Sequence, residues 1–173
     1  MQKKAVQISY QSFSARQPQQ IVFHVWWLKE FKNRWFAVGV KDEKLQVQNL
    51  ALDRIIDIQT LDNELYIANE SLSPDEYYKD VIGVTVSINL RPITIKIWVS
   101  NQHAPYVETK PLHQSQEILE RQSNGILIQL KVQHNFELER EIFGFGDGMV
   151  VLEPQKLRGI IKKWLEKAVA AYL

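Results

Sequence analysis

The chain contains no cysteine among its 173 residues. This absence excludes disulfides, thiolate metal sites and cysteine nucleophiles, and it fits a reducing compartment. The sequence also lacks an apolar run as long as a membrane-spanning helix requires, and its start, Met-Gln-Lys-Lys, does not lead into a secretory signal. We therefore expect a cytoplasmic protein.

Glycine and proline are scarce, with seven and six residues, and no segment has low complexity. Apolar residues make up 45% of the chain and charged residues 24%, which is close to the average of globular proteins and predicts a folded chain. A chain of this length fits one medium domain or two small ones, and we favour two.

The chain has almost no excess of charge of either sign, because its formal net charge is only +1. Composition alone therefore does not predict nucleic-acid binding. The distribution is uneven: residues 1–63 hold nine Lys and Arg against six Asp and Glu, whereas residues 64–173 hold twelve against fourteen. The basic excess of the first part is compatible with an anion-binding face and equally with a solvated surface of mixed charge.

Residues 1–63 carry β-strand signals: side chains alternate in Val6–Phe13, and Ile21–Phe31 is rich in β-branched and aromatic residues. The predicted strands are Val6–Phe13, Ile21–Phe31 and Arg34–Val40, followed by shorter pieces at Leu45, Val47, Ile55 and Ile58, with turns at Lys32-Asn33 and Asp42-Glu43-Lys44. About five short strands within about sixty residues suggest a small closed barrel, since the edges of an open sheet would need covering.

The remaining residues mix strands and helices. Residues 64–75 are predicted as a linker, and Ser73 with Pro74 is typical of a helix start. In residues 76–173 we predict strands at Val84–Leu90, Ile93–Val99, Gln116–Arg121, Ile126–Val132 and Val150–Leu152, and helices at Ala104–Thr109, Phe136–Phe143 and from Pro154 to the end. The last helix has one apolar stripe. We expect its Trp164 and Tyr172 to be exposed, which makes the helix a reasonable interface. The chain as a whole is predicted to be α+β.

The first domain offers residue types suited to a ligand that carries phosphate. An arginine fork binds phosphate through paired hydrogen bonds, and an adjacent aromatic face stacks a base. Neighbours on a strand point to opposite faces, so Arg34 and Trp35 line one surface only if the strand bends or bulges, whereas Tyr10 and Ser12 share a face. The predicted ligand-binding residues are Tyr10, Ser12, His24, Arg34, Trp35 and Arg54.

Each of these candidates has a structural alternative. Trp35 is typical of a core residue of a small barrel, so we expect it to be half-buried as an anchor. Arg54 follows Asp53 and fits an ion pair or a bond to a turn equally well. His24 lies in an apolar run, where a histidine usually bonds a neighbouring backbone group. Tyr10 and Ser12 fit either reading.

Signals for catalysis and metal binding are weak. The four histidines lack the spacings of zinc sites, and no nucleophile elbow, P-loop or dinucleotide fingerprint is present. The glycines of residues 144–148 favour a turn between a helix and a strand over a phosphate loop, and His113, Ser115 and Glu117 are explained equally well by alternation on an extended segment. We expect no enzyme, no cofactor and no metal.

Several short motifs, taken in order, resemble the WYL-domain family of bacterial regulators with its C-terminal extension, called WCX. They are Arg34-Trp35-Phe36-Ala37, Leu52-Asp53-Arg54-Ile55, Tyr78–Val84, Pro111–Gln116, Phe145-Gly146-Asp147 and Val151–Pro154. The first of them departs from the family signature, because Phe36 replaces tyrosine and Ala37 replaces leucine.

This resemblance implies an Sm-like or SH3-like barrel followed by a ferredoxin-like α/β domain. It also implies that the barrel binds single-stranded nucleic acid or a nucleotide-like effector, and that the extension supports a homodimer and signal transmission. The winged helix-turn-helix that binds promoter DNA in such regulators is not expected within this chain, since no such pattern precedes Val6. Two alternatives stay open: a dimerisation or scaffolding module without a ligand, and a peptide-binding barrel.

Overall fold

The computed structural model describes residues 3–41 and 46–173, and it divides the chain into two compact units, Met1–Pro74 and Asp75–Leu173. Each unit is built on one antiparallel sheet, and helices are few, so the predicted α+β class is confirmed. The predicted turn at Asp42-Glu43-Lys44 and the strand piece at Leu45 lie outside the described residues.

The first unit contains five strands in the order β4-β3-β2-β1-β5. They are β1 Ala5–Tyr10, β2 Gln19–Phe31, β3 Arg34–Lys41, β4 Val47–Ala51 and β5 Ile55–Leu61. The predicted turn at Lys32-Asn33 is confirmed: both residues have positive φ, 49° and 61°, as a tight type I′ hairpin requires. This turn connects the long strand β2 directly to β3.

The sheet is strongly curved but not closed. Among the described residues β4 and β5 do not pair, so the predicted closed barrel is not observed. These two edge strands are nevertheless joined only by the 3₁₀ turn Leu52–Arg54. Four residue steps reach at most about 14 Å, whereas the edges of a flat five-stranded sheet lie about 19 Å apart, so the sheet must curl. The curl encloses the buried side chains of Ile8, Ile21, Phe23, Ala37 and Leu50.

The first strand is shorter than predicted, because β1 ends at Tyr10 and not at Phe13. The backbone N–H of Gln11 donates to the carbonyl of Arg54 at 3.1 Å, and the N–H of Ala15 then donates to the carbonyl of Ser12 at 3.0 Å. The chain therefore turns at residues 12–15. Ser12 lies in this turn and no longer shares a strand face with Tyr10, so that prediction is wrong.

The segment predicted as a linker makes specific contacts with β2. Tyr66 donates its hydroxyl to the Val25 carbonyl at 2.6 Å, and burial raises the pKa of Tyr66, which keeps this donor protonated. The indole N–H of Trp26 donates to the Ile67 carbonyl at 3.0 Å. The register of β2 against β3 shifts between Val25 and Trp27, so Trp26 is the extra residue of a bulge. Residues 66 and 67 thus cover the bulge of β2.

The second unit places its helices around a four-stranded sheet of order β7-β8-β6-β9. Its elements are α1 Pro74–Tyr78, β6 Ile93–Ser100, α2 Ala104–Thr109, β7 Glu117–Gln122, β8 Gly125–Val132, α3 Phe136–Gly144, β9 Met149–Glu153 and α4 Gln155–Ala170. One face of the sheet carries buried aliphatic residues that pack with Leu138 and Ile142 of α3 and with Leu157 and Ile161 of α4. No helix in the described ranges is long and apolar enough to cross a membrane.

The predicted strand at Val84–Leu90 is not formed. Side chains hold this segment instead of a neighbouring strand: Gln133 accepts from the N–H of Ser87 at 3.0 Å and donates to the carbonyl of Leu90 at 2.9 Å. The Asn135 amide likewise donates to the carbonyl of Thr85 in the same stretch, at 3.1 Å. Side chains can therefore make the backbone hydrogen bonds of a segment whose residues alternate. The sequence pattern alone does not reveal this.

Asn135 to Ala should destabilise the second unit by about 2 kcal/mol. Asn135 is the N-cap of α3, where its side-chain oxygen accepts from the N–H of Leu138 at 2.9 Å and its amide donates to the carbonyls of Ile82 and Thr85. Chemical denaturation of the variant should show a lower midpoint with an unchanged slope. Asn89→Ala is the control, because Asn89 is an exposed asparagine of the same unit. Equal stabilities of the two variants would contradict this prediction.

The end of the chain differs from prediction in one respect. The amphipathic helix from Pro154 onward is confirmed as α4, but Trp164 is not exposed: its ring packs at 5.8 Å from Phe136 and 5.7 Å from Phe143. Tyr172 is fully accessible. The predicted turn at residues 144–148 is confirmed as a short 3₁₀ segment between α3 and β9.

Candidate functional site

Arg34 and Arg54 meet at the exposed ring of Phe13. The guanidinium carbon of Arg54 lies 4.2 Å from the centre of the Phe13 ring, and that of Arg34 lies 5.9 Å from the same centre. Phe13 itself is 77% exposed. We call Phe13, Arg34, Asp53 and Arg54 the Phe13 cluster.

Three local features of the chain bring these side chains together. The tight turn at Lys32-Asn33 places Arg34 at the first position of β3. The 3₁₀ turn between β4 and β5 ends at Arg54. The hydrogen bond from the N–H of Gln11 to the carbonyl of Arg54 ties the loop that carries Phe13 to that turn. Residues far apart in sequence thus converge where the curled sheet brings its edges close.

The two arginines differ in their electrostatic surroundings. Arg34 Nε lies 3.1 Å from Asp53 Oδ2, in an ion pair whose side chains are 42% and 45% exposed. Arg54 has no ion-pair partner among the described residues, and its Nε is buried without a hydrogen-bond partner. A buried donor without a partner is costly, and a charged donor more so. The cluster therefore keeps one uncompensated cation beside an open aromatic ring.

This combination suits an anion attached to a planar group. A guanidinium binds phosphate through charge-assisted hydrogen bonds, and stacking on an aromatic side chain does not depend on base identity. The Phe13 ring is already in contact with the Arg54 guanidinium, and such cation–π contacts hold the cation near the ring. An incoming phosphate and base would meet both partners at one place.

The other predicted site residues lie in different environments. Ser12 is in the Phe13 loop, where its hydroxyl pairs with that of Ser14 at 3.3 Å. Tyr10 packs against the core of the curled sheet. His24 is only 1% exposed, and its Nδ1 accepts from the N–H of Ile67 at 3.1 Å. The structure does not bring Tyr10 or His24 into the Phe13 cluster.

Trp35 is 51% exposed and is not part of the core cluster. The interpretation of Trp35 as a core residue is therefore wrong, whereas the expected half-burial agrees with its exposed fraction. Trp35 pairs with Glu30 close to the hairpin turn, at one end of β3. The aromatic surface of this unit includes Trp35 as well as Phe13.

Sequence reasoning missed Phe13. Its position was assigned to a strand, where an aromatic residue is ordinarily explained by packing. A signal was present, because Phe13 stands between two serines in a polar stretch that continues to Gln20 with few apolar residues. A large aromatic side chain in such a stretch is a candidate for contact with a ligand.

The described residues contain no group of three or more His, Asp or Glu that could hold a metal ion. The polar residues at His113 and Ser115 have structural partners: the Ser115 hydroxyl donates to the Lys131 carbonyl at 3.1 Å and accepts from the Lys131 N–H at 2.9 Å. Burial lowers the pKa of His113, whose Nδ1 is bonded to Ser115. Ser115 thus bonds the backbone near the end of β8, which gives this stretch a structural role.

Two protein-family models match this chain. Residues 1–60 match the model of the WYL domain, and residues 91–169 match the model of the WCX domain. The Phe13 cluster lies entirely within the first match. No curated protein matches the chain.

The solved structures similar to the chain include the following two. One is proteasome accessory factor B/C of Arthrobacter aurescens, at 15% identity over 92% of this chain and 24% of that chain, with a TM-score of 0.41. The other is a CRISPR Cas-related protein, at 13% identity over 98% of this chain and 48% of that chain, with a TM-score of 0.53. The chain thus spans about a quarter and about half of these proteins, and the second similarity supports the fold alone.

Proposed function

The chain belongs to the family of proteins that carry a WYL domain followed by a WCX domain, and we propose that it is the ligand-sensing part of a bacterial transcriptional regulator. In this proposal the first unit binds single-stranded nucleic acid or a nucleotide-like effector at the Phe13 cluster. Promoter DNA would be bound by a domain outside this chain. The same proposal makes the protein a cytoplasmic homodimer without catalytic activity.

We also propose a specific fold for each of the two units. A five-stranded curled sheet whose β5 pairs with β1 supports an Sm-like or SH3-like barrel in the first unit. In the second unit the order β-α-β-β-α-β, with antiparallel strands arranged β7-β8-β6-β9, supports a ferredoxin-like domain followed by one further helix.

The single observation that carries the proposal is the convergence of two guanidinium groups on one exposed aromatic ring. Arg34 is paired with Asp53, but Arg54 has no acidic partner among the described residues, so its guanidinium charge is not offset by a neighbouring carboxylate. Positive charge therefore remains beside a ring that is 77% exposed.

Oligonucleotide binding should be electrostatic and weaken with salt. If two phosphates contact Arg34 and Arg54, the affinity for a short single strand should fall about sevenfold between 50 and 200 mM salt. Fluorescence anisotropy of a labelled oligonucleotide measures this slope, with an uncharged peptide nucleic acid of the same sequence as the control ligand. A slope near zero would contradict phosphate contacts.

The second candidate function is a dimerisation or scaffolding module without its own ligand. It is favoured by the exposed apolar residues outside the cluster, among them Ile56 and Ile58 of β5. Sedimentation together with the titration separates the two functions. A dimer that binds none of the oligonucleotides or nucleotides tested would support the scaffold, whereas salt-sensitive binding supports sensing.

A further inference from the structure

Asp53 is the acidic member of the Phe13 cluster, and its carboxylate lies on one of the two arginines. The contact joins Arg34 Nε to Asp53 Oδ2 at 3.1 Å, and both side chains are close to half exposed. Resting on the function proposed above, we infer that Asp53 is an internal competitor for the second phosphate of a ligand, so that the site distinguishes ligands by their number of phosphate groups.

The asymmetry between the arginines supports this inference. Arg54 has no carboxylate within ion-pair distance among the described residues, so an anion can bind its guanidinium without displacing an acidic group. Arg34 can bind an anion through its Nε only if Asp53 moves away or is outcompeted. A ligand with one phosphate would thus use Arg54, whereas a ligand with two would also have to displace Asp53.

The exposure of the pair makes displacement feasible. Exposed ion pairs are weak because water screens them and both side chains lose freedom when they pair. A phosphate offers the Arg34 guanidinium paired charge-assisted hydrogen bonds, which the single Nε contact of Asp53 does not. Asp53 then acts as a threshold: it weakens the binding of every ligand that needs Arg34, and it hardly affects ligands that need Arg54 alone.

The test compares Asp53→Asn with Asp57→Asn in the full chain. Both substitutions remove one negative charge from the first unit, but Asp57 lies on β5, where Gln59 donates to its carboxylate at 3.2 Å. The probes are adenosine monophosphate and adenosine 3′,5′-bisphosphate, which share a base and sugar and differ by one phosphate group. Calorimetric titration at low salt gives the four dissociation constants and those of the unsubstituted chain.

We expect Asp53→Asn to bind the bisphosphate about fivefold more tightly than Asp57→Asn does. For the monophosphate, the two variants should agree within about twofold, because Arg54 is unchanged in both. The gain should be specific to the second phosphate, which a general change in charge would not produce.

Two results would overturn the inference while leaving the proposed function intact. Weaker bisphosphate binding by Asp53→Asn would show that Asp53 orients Arg34 for the ligand, and equal affinities of both variants would show that only net charge matters. If the unsubstituted chain binds neither probe and no oligonucleotide, the proposed function fails and this inference fails with it.

Discussion

Arg54→Ala should lower the affinity of the chain for a short single-stranded oligonucleotide by about 30- to 150-fold, the largest binding effect that we expect. Removal of a charged hydrogen-bond donor to phosphate costs about 2 to 3 kcal/mol. The substitution also removes the guanidinium that lies 4.2 Å from the Phe13 ring, so the ring loses its cation–π partner. Arg54 should matter more than Arg34, because Asp53 already neutralises part of the charge of Arg34.

Anisotropy at low salt measures this loss, and thermal unfolding checks that the variant is folded. Arg121→Ala is the matched control, since Arg121 lies on β7 of the second unit and pairs with Glu108. We expect the control to change the affinity by less than about twofold. Arg54→Lys should be intermediate, because lysine keeps the charge but not the planar fork. A folded Arg54→Ala variant with full affinity would refute the Phe13 cluster as the binding site.

Gly39→Ala should destabilise the first unit by about 3 kcal/mol or more, the largest stability effect that we expect. A methyl group at Gly39 would lie 2.0 Å from the His24 carbonyl oxygen and 3.1 Å from Val25 Cα, so it meets backbone atoms that cannot rotate away. Gly39 pairs with Val25 directly beside the bulge of β2. Relief of the clash would require β2 and β3 to separate at the point where His24 and Trp26 bond to Ile67.

Scanning calorimetry should show the transition of the first unit about 12 °C or more below that of the unsubstituted chain, since 1 kcal/mol shifts a domain of this size by about 4 to 8 °C. Gly159→Ala is the control: Gly159 lies in α4, and apart from its neighbours in the helix no described atom lies within 4 Å of the added methyl group. Alanine is the better helix former, so this variant should gain about 1 kcal/mol. An unshifted transition for Gly39→Ala would mean that the strands tolerate separation.

Local patterns predicted most elements of the fold. The runs at Ile21–Phe31, Arg34–Val40 and Ile126–Val132 became β2, β3 and β8, because β-branched and aromatic side chains pack well on a pleated sheet. The apolar stripe of the last helix became α4 for the same kind of reason. The pattern failed at Val84–Leu90, where the amide of Gln133 supplies the hydrogen bonds that a partner strand would have given.

The candidate site was predicted only in part. Arg34 and Arg54 were chosen for their chemistry, and the structure brings them to one ring. Phe13 was missed because a turn formed by Gln11 and Ala15 ends β1 early, and His24 was included although its ring is bonded to Ile67, more than forty residues along the chain. Bonds between distant residues leave no periodic trace in the sequence.

By itself, the sequence determined which residues alternate, where the chain turns and which side chains can bind an anion, because these properties follow from neighbouring residues and their chemistry. Only the tertiary structure decided that Phe13, Arg34 and Arg54 stand together, that Asp53 lies on one arginine alone, and that His24 is enclosed. These facts depend on how a short 3₁₀ turn forces a five-stranded sheet to curl, which brings together residues that no local pattern connects.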